Sequence, residues 1–230
     1  MPRPIVIVDY GMGNVRSLRN GLARAGADAL LSGDPASLAG AGGIVLPGVG
    51  GFPECMAALR AGGFADPLLA AIARGVPYLG ICLGLQILFE ESEEFGATPG
   101  LGVLPGRIRR FPADLAANGG PLPLKVPHMG WNRIHLEAAS PILEGAREGD
   151  HFYFVHSYYA EPSGACAPFI AATCRYGLPF IASVRRGSLF ATQFHPEKSA
   201  AKGLEILRRF HVMCQEAGVG AAASPPRPAL

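Results

Sequence analysis

Short apolar or β-branched runs recur through the first 95 residues, at Ile5 to Val8, Ala29 to Leu31, Gly43 to Leu46 and Pro77 to Ile81, with Gly- and Pro-rich turns between them. That spacing leaves room for a crossover helix between successive strands, which is what parallel pairing requires. Between the first two runs, apolar or small residues at Val15, Leu18, Leu22 and Ala25 follow helical spacing, and Gly26 suits the residue just past a helix end. The pattern predicts an α/β fold with a parallel sheet.

The character changes from Gly100 to about Ala182. Strand-like pieces "VLPGRIRRF", "NRIHLE", "DHFYFVHSYY", "FIAATCRY" and "FIASVRRG" follow one another with turns between, which predicts an antiparallel section added to the parallel core. Residues 113 to 124, "ADLAANGGPLPL", read as a surface loop. A last strand, "SLFATQF", leads into "HPEKSAAKG" and a helix to about Ala217 with Leu204, Leu207 and Phe210 on one face. The low-complexity end is expected to be a disordered tail over 218–230, leaving one domain over 1–217.

A chain of 230 residues with 49% hydrophobic residues can bury a sizeable core. Its net charge of +2, without a dense Lys/Arg stripe, gives no footprint for nucleic acid. The excess of Arg over Lys and the abundance of Ala, Gly and Pro are what a GC-rich genome produces. Five cysteines, at 55, 82, 166, 174 and 214, form neither a C-x-x-C pair nor a zinc-ligand spacing, so a reduced, cytoplasmic protein is expected. No basic segment followed by a signal-type apolar run precedes "IVIVD". The uncharged run from Pro35 to Pro53 is too rich in glycine to span a membrane, so no membrane association is expected.

Chemistry concentrates in "VPYLGICLGLQILFEESEE", Val76 to Glu94. A nucleophile at a tight strand-to-helix turn projects its reactive atom above the sheet, and G-x-C-x-G is the cysteine form of such an elbow. The flanking glycines allow close packing, and a helix N-terminus behind the turn favours the thiolate that attacks. The continuation is expected to be helical, with Leu85, Leu88 and Phe89 at spacings of three and four. The alternative is that Cys82 is one more buried apolar cysteine.

A cysteine nucleophile needs a base, and six histidines compete. His195, in "QFHPEKS", ends the last strand, on the sheet edge where parallel strands bring their C-termini together, and Glu197 two residues on can orient it. His156 in "YFVHSYY" is the competitor, with a packed core imidazole as its ordinary alternative, and His128 in "VPHMGWN" shares that alternative. The spacing of His128, His156 and His195 matches no metal-ligand pattern, so neither metal nor cofactor is expected.

The motifs "PGVGGF", "GICLGLQILFEESEE", "VPHMGWN", "YFVHSY" and "QFHPEKS", in this order, resemble the class I, triad-type glutamine amidotransferases. With "DYGMGN" they resemble more narrowly the histidine-pathway branch, the glutaminase subunits of imidazole glycerol phosphate synthases. The resemblance covers about residues 4 to 215. It implies a flavodoxin-like, mostly parallel sheet flanked by helices. It also implies a triad of Cys82, His195 and Glu197 acting on glutamine, and an oxyanion hole built from Leu83 and the loop Gly48, Val49 and Gly50. Gln86, Glu94, Ser157 and Tyr158 would contact the substrate; for Glu94 the alternative is a solvated acidic helix end. Asn14, Tyr153 and Lys198 would face the partner, a (β/α)8-barrel cyclase in a 1:1 heterodimer that receives the ammonia. In the family the glutaminase is switched on when the cyclase binds its nucleotide, through reorientation of the "PGVG" backbone.

The chain departs from the family at Gly51, where alanine is expected, in the longer loop at 113 to 124, and in its tail. Other readings are an amidotransferase of the same fold feeding another synthase, an inactive regulatory subunit, and a nucleotide-binding module built on "DYGMGN". The last lacks the third glycine of the dinucleotide fingerprint, position 16 being Arg.

Overall fold

The computed structural model describes residues 3–116 and 124–222. In chain order the elements are β1 (Ile5–Val8), α1 (Val15–Arg24), β2 (Ala29–Ser32), β3 (Gly43–Gly48), α2 (Phe52–Ala61), α3 (Ala65–Ala73), β4 (Tyr78–Cys82) and α4 (Leu83–Gln86). There follow β5 (Glu91–Ser92), β6 (Thr98–Pro99), β7 (Arg107–Arg110), β8 (His128–Leu136), β9 (His151–His156), β10 (Tyr158–Ala160), β11 (Ile170–Tyr176), β12 (Leu178–Arg186), β13 (Leu189–Thr192) and α5 (Ala200–Ala222).

Nine strands form one sheet in the order β2-β1-β3-β4-β13-β12-β11-β8-β9. From β2 to β13 the neighbours are parallel, and from β13 to β9 they are antiparallel, so the antiparallel section continues the same sheet. A second sheet, β10-β7-β5-β6, lies beside it. The period of two sorts β1 between two cores. Ile5 and Ile7 pack with Leu18 and Leu22 of α1 and Leu207 and Phe210 of α5, while Val6 and Val8 pack with Phe52 and Met56 of α2 and Leu68 of α3. Helices α2 and α3, to which the apolar pattern assigned no element, therefore cover one face.

Local signals account for the element ends. Asn14 caps α1 by accepting from the Ser17 N–H at 3.2 Å. At its other end Gly26 has φ +86, Gly26 N–H donates to Ala23 O and Ala27 N–H to Leu22 O, the paired bonds of a Schellman motif. Helix α5 buries Ile206, Leu207, Phe210 and Cys214 and continues to Ala222, past the expected Ala217. Residues 223–230 of the expected tail, and 117–123 of the expected loop, lie outside the described residues.

Two expectations fail here. "DHFYFVHSYY" is two strands: β9 stays in the large sheet and β10 joins the small one, with Ser157 at the break. The break is held by His156 Nδ1 bonding to Tyr158 O at 2.8 Å and by Phe111 N–H donating to Ser157 O. The helix after the elbow, expected to run through Phe89, ends at Gln86. Ile87, Leu88 and Phe89 are all fully buried, so the segment has no polar face to offer, and their carbonyls accept instead from Leu101, Leu104 and Gly102. Among the described residues no single helix is long and apolar enough to cross a membrane.

Candidate active site

The elbow is strained in the way its motif predicts. Cys82 ends β4 with φ 56 and ψ −106, a region that non-glycine residues enter at a cost of about 1–3 kcal/mol. Both flanking glycines are dictated by packing: a Cβ on Gly80 would stand 2.2 Å from Gly84 O, and one on Gly84 would stand 2.1 Å from Leu46 O. Tyr78 Oη braces the turn by donating to Gly84 O at 2.9 Å. With only four residues in α4, the local donors at the elbow are its first N–H groups, Leu83 among them, and a long-helix dipole contributes little.

Strand β13 pairs with β4 in parallel, Thr192 opposite Ile81, so the residues that follow each strand emerge side by side. His195 Nδ1 is 2.8 Å from Glu197 Oε1, with both side chains no more than 4% exposed. Burial pushes the imidazole down, but Cys82 and Glu197 together outweigh it and hold His195 above its ordinary value. The Cys82 thiol faces Val155 O at 3.9 Å, and His195 Nε2 is buried without a hydrogen bond among the described residues.

Cys82 and His195 open on a cavity of about 310 Å³. It is lined by Gly48, Val49 and Gly50, by Ser157, Tyr158 and Lys198, and by Leu83, Gln86 and Glu94. Gly48 lies opposite Cys82 in the β3–β4 register, and Gly50 has φ +96. Tyr10 of the "DYGMGN" motif donates to Pro47 O at 2.8 Å, so that motif braces this loop. The fold does not demand glycine at 51: its φ is −91, and an added Cβ would meet first Glu54 Oε2, the movable end of an exposed side chain.

Tyr158 O already accepts from Gln86 Nε2 at 2.9 Å and from His156, and Ser157 O accepts from Phe111 N–H. Glu94 is no solvated helix end: it is 8% exposed, and its Oε2 accepts from Phe52 N–H at 2.7 Å at the start of α2. Burial raises its carboxyl above the usual range.

Three of the expected residues lie outside this cavity. Glu197 stands behind His195, where it lines a much smaller cavity together with Asn14. Tyr153, on β9, sits under Lys198, whose Nζ is 5.7 Å from its ring centroid, and the ring centroids of Tyr153 and the exposed Trp131 are 6.2 Å apart.

His156 is no general base, because both its nitrogens are engaged, with Tyr158 O and with His128 Nδ1 at 3.2 Å. Burial pushes His156 down to about 3 and His128 down to about 4, so both are neutral. No group of three or more His, Cys, Asp or Glu among the described residues is arranged to hold a metal. Sequence reasoning missed Gln193 and Ser199, buried beside Cys82 and His195 respectively, although each stands inside the quoted "QFHPEKS".

Cys82 on its strained strand end, the buried His195–Glu197 pair after the next strand and the glycine loop lining the same cavity form the arrangement expected of a triad-type amidotransferase. The class I glutamine amidotransferase model matches residues 6–214, and the chain belongs to that family. Within it the chain belongs to the HisH subunits of imidazole glycerol phosphate synthase. It is 53% identical to the HisH subunit of Syntrophotalea carbinolica over 90% of this chain and 98% of that one. The HisH subunit of Geobacter sulfurreducens is 47% identical over 91% and 98%. Among solved structures, one described as a glutamine amidotransferase superposes with a TM-score of 0.67 at 21% identity, over 91% of this chain and 98% of that one, a likeness of fold.

Proposed function

We propose that this chain, as the glutaminase subunit of an imidazole glycerol phosphate synthase, hydrolyses glutamine through a thioester on Cys82 and delivers the ammonia to a cyclase partner. The observation that carries the reading is the placement of Cys82, on its strained turn, beside the buried His195–Glu197 pair. The Cys82 sulfur attacks the side-chain amide carbon of glutamine, the carbonyl oxygen becomes an oxyanion, and His195 Nε2 gives its proton to the departing nitrogen, which leaves as ammonia. His195 then takes a proton from water, which attacks the thioester; the C–S bond breaks and glutamate leaves. Glu197 holds the imidazole tautomer and balances its charge throughout.

The oxyanion donors in this reading are Leu83 N–H and the loop Gly48, Val49 and Gly50. Glycine at 50 lets the loop peptide turn at little steric cost, and one such donor is worth about 2.7–4 kcal/mol, enough for a switch of two to three decades. Gln86 and Glu94 receive the amino-acid end of glutamine. The partner is a (β/α)8-barrel cyclase in a 1:1 complex, docked over Asn14, Tyr153 and Lys198. Exposed Val49, Met129 and Trp131 support this face, since large apolar side chains on a surface mark contact sites.

Glutamate release is measured for the chain alone and then with a histidine-pathway cyclase and its nucleotide ligand. Strong stimulation by both together is expected; equal activity in all conditions would refute the partner and the switch.

A further inference from the structure

Gln193 is fully buried one residue beyond β13, and its Nε2 lies 3.6 Å from Cys82 Sγ. Which end of an amide faces a sulfur decides whether the sulfur meets a donor or an acceptor, and the surrounding bonds decide that here. Tyr158 O is a backbone carbonyl and can only accept, so the Gln86 atom 2.9 Å from it is the nitrogen. The same Gln86 nitrogen lies 2.9 Å from the Gln193 side chain, which must therefore present its oxygen. With its oxygen spent on Gln86, Gln193 turns its N–H toward Cys82.

The other side of Tyr158 O fits the same polarity. Asn132 Nδ2 donates to Arg175 O at 3.0 Å and meets His128 Nε2 at 3.2 Å, so that nitrogen accepts. His128 Nδ1–H then donates to His156 Nε2, and His156 Nδ1–H to Tyr158 O. One backbone carbonyl thus fixes two amides and two imidazoles without a conflict of donors, and such satisfied buried networks are rigid.

We propose that Gln193 is a catalytic residue that donates a hydrogen bond to the Cys82 sulfur, its amide orientation imposed through Gln86 by the Tyr158 carbonyl. It supports negative charge on sulfur twice: before attack, and when water resolves the thioester and the C–S electron pair returns to sulfur. His195 carries the proton in both half-reactions; Gln193 transfers none. The same bonds leave only the Gln86 oxygen for the substrate, which selects a donor on glutamine, such as its ammonium, at that point. The inference rests on Cys82 being the nucleophile.

The test reads the thiol rather than glutamine turnover. Alkylation of Cys82 by iodoacetamide is followed by peptide mass across neutral to alkaline pH in the intact protein, in Gln193→Met and in Gln193→Glu, with Cys82→Ala as the blank. Loss of a hydrogen bond to a charged group predicts about tenfold slower alkylation of Gln193→Met near neutrality, with the rate profile displaced to higher pH. Gln193→Glu is displaced further. Gln86→Met, which unlocks the Gln193 amide while keeping it, gives a smaller displacement in the same direction and serves if the position-193 variants do not fold. Superimposable profiles in the folded variants would overturn the role of Gln193 alone; a wild-type Cys82 that resists alkylation throughout would overturn the nucleophile reading with it.

Discussion

Ser199 Oγ donates to the backbone carbonyl of His195 at 2.7 Å and accepts the Tyr153 N–H at 3.0 Å, while Tyr153 O accepts from His195 N–H at 2.9 Å. This hydroxyl joins two backbone bonds, Lys198 N–H to His195 O and Ser199 N–H to Pro196 O, in closing the turn that carries His195 and Glu197, and ties that turn to β9. The face proposed to meet the cyclase and the His195 imidazole share this knot, since Lys198 lies over the Tyr153 ring.

Ser199→Ala removes both bonds and leaves the Tyr153 N–H without its partner. The cost is about 0.5–1.5 kcal/mol, the net worth of a typical hydrogen bond, since the Tyr153 N–H is only part-buried, and it is read as a lower urea midpoint. Because the His195 turn loses one of its tethers, kcat for glutamine falls more than KM changes; an unaltered kcat would show that the remaining backbone bonds hold the turn without Ser199.

Cys82→Ala and Cys82→Gly both abolish glutamine-dependent turnover and leave ammonia-dependent synthesis by the complex intact. They differ in stability. Alanine keeps the side chain at φ 56, whereas glycine is at ease there, so the glycine variant is more stable than the alanine variant by about 1 kcal/mol. Equal melting temperatures would remove strain from the account of the elbow.

The neutral imidazole pair makes stability depend on pH. In the fold burial pushes His128 down to about 4 and His156 down to about 3, from an ordinary 6.5 in the unfolded chain. Between those values the unfolded chain binds protons that the native state refuses, so stability is full above pH 6.5 and falls as pH drops toward 4. Each group adds a slope of up to about 1.4 kcal/mol per pH unit in that window. His195, raised in the fold, contributes in the opposite sense: its stabilisation is full below the unfolded value and is lost as pH rises through the folded one. Urea titrations at several pH values test this, and His156→Gln flattens the slope; a wild-type slope as shallow as that of the variant would contradict the neutral pair.

Lys198→Ala removes an exposed cation over Tyr153 and touches little of the core, so unfolding shifts by less than about 0.5 kcal/mol. The complex with the cyclase weakens or uncouples, read by titration with the partner. An unchanged titration would take Lys198 off the interface.

Much of this chain is local physics and was therefore legible in its residues. The β-branched runs, the glycine at 26 just past the end of α1 and the G-x-C-x-G elbow each follow from neighbours a few positions apart. Cys82 and the His195–Glu197 pair were readable because each sits at a strand end, and parallel strands bring such ends to one edge. What stayed hidden depends on partners far along the chain. The early end of α4 is decided by carbonyls that bond to Leu101, Leu104 and Gly102, and the break at Ser157 by a second sheet that claims β10. Gln193 and Ser199 read as ordinary polar residues until the sheet sets Gln86 and Cys82 against one and Tyr153 against the other. A side chain's type is fixed by its codon, but the donor or acceptor it must be is fixed by what the fold buries beside it.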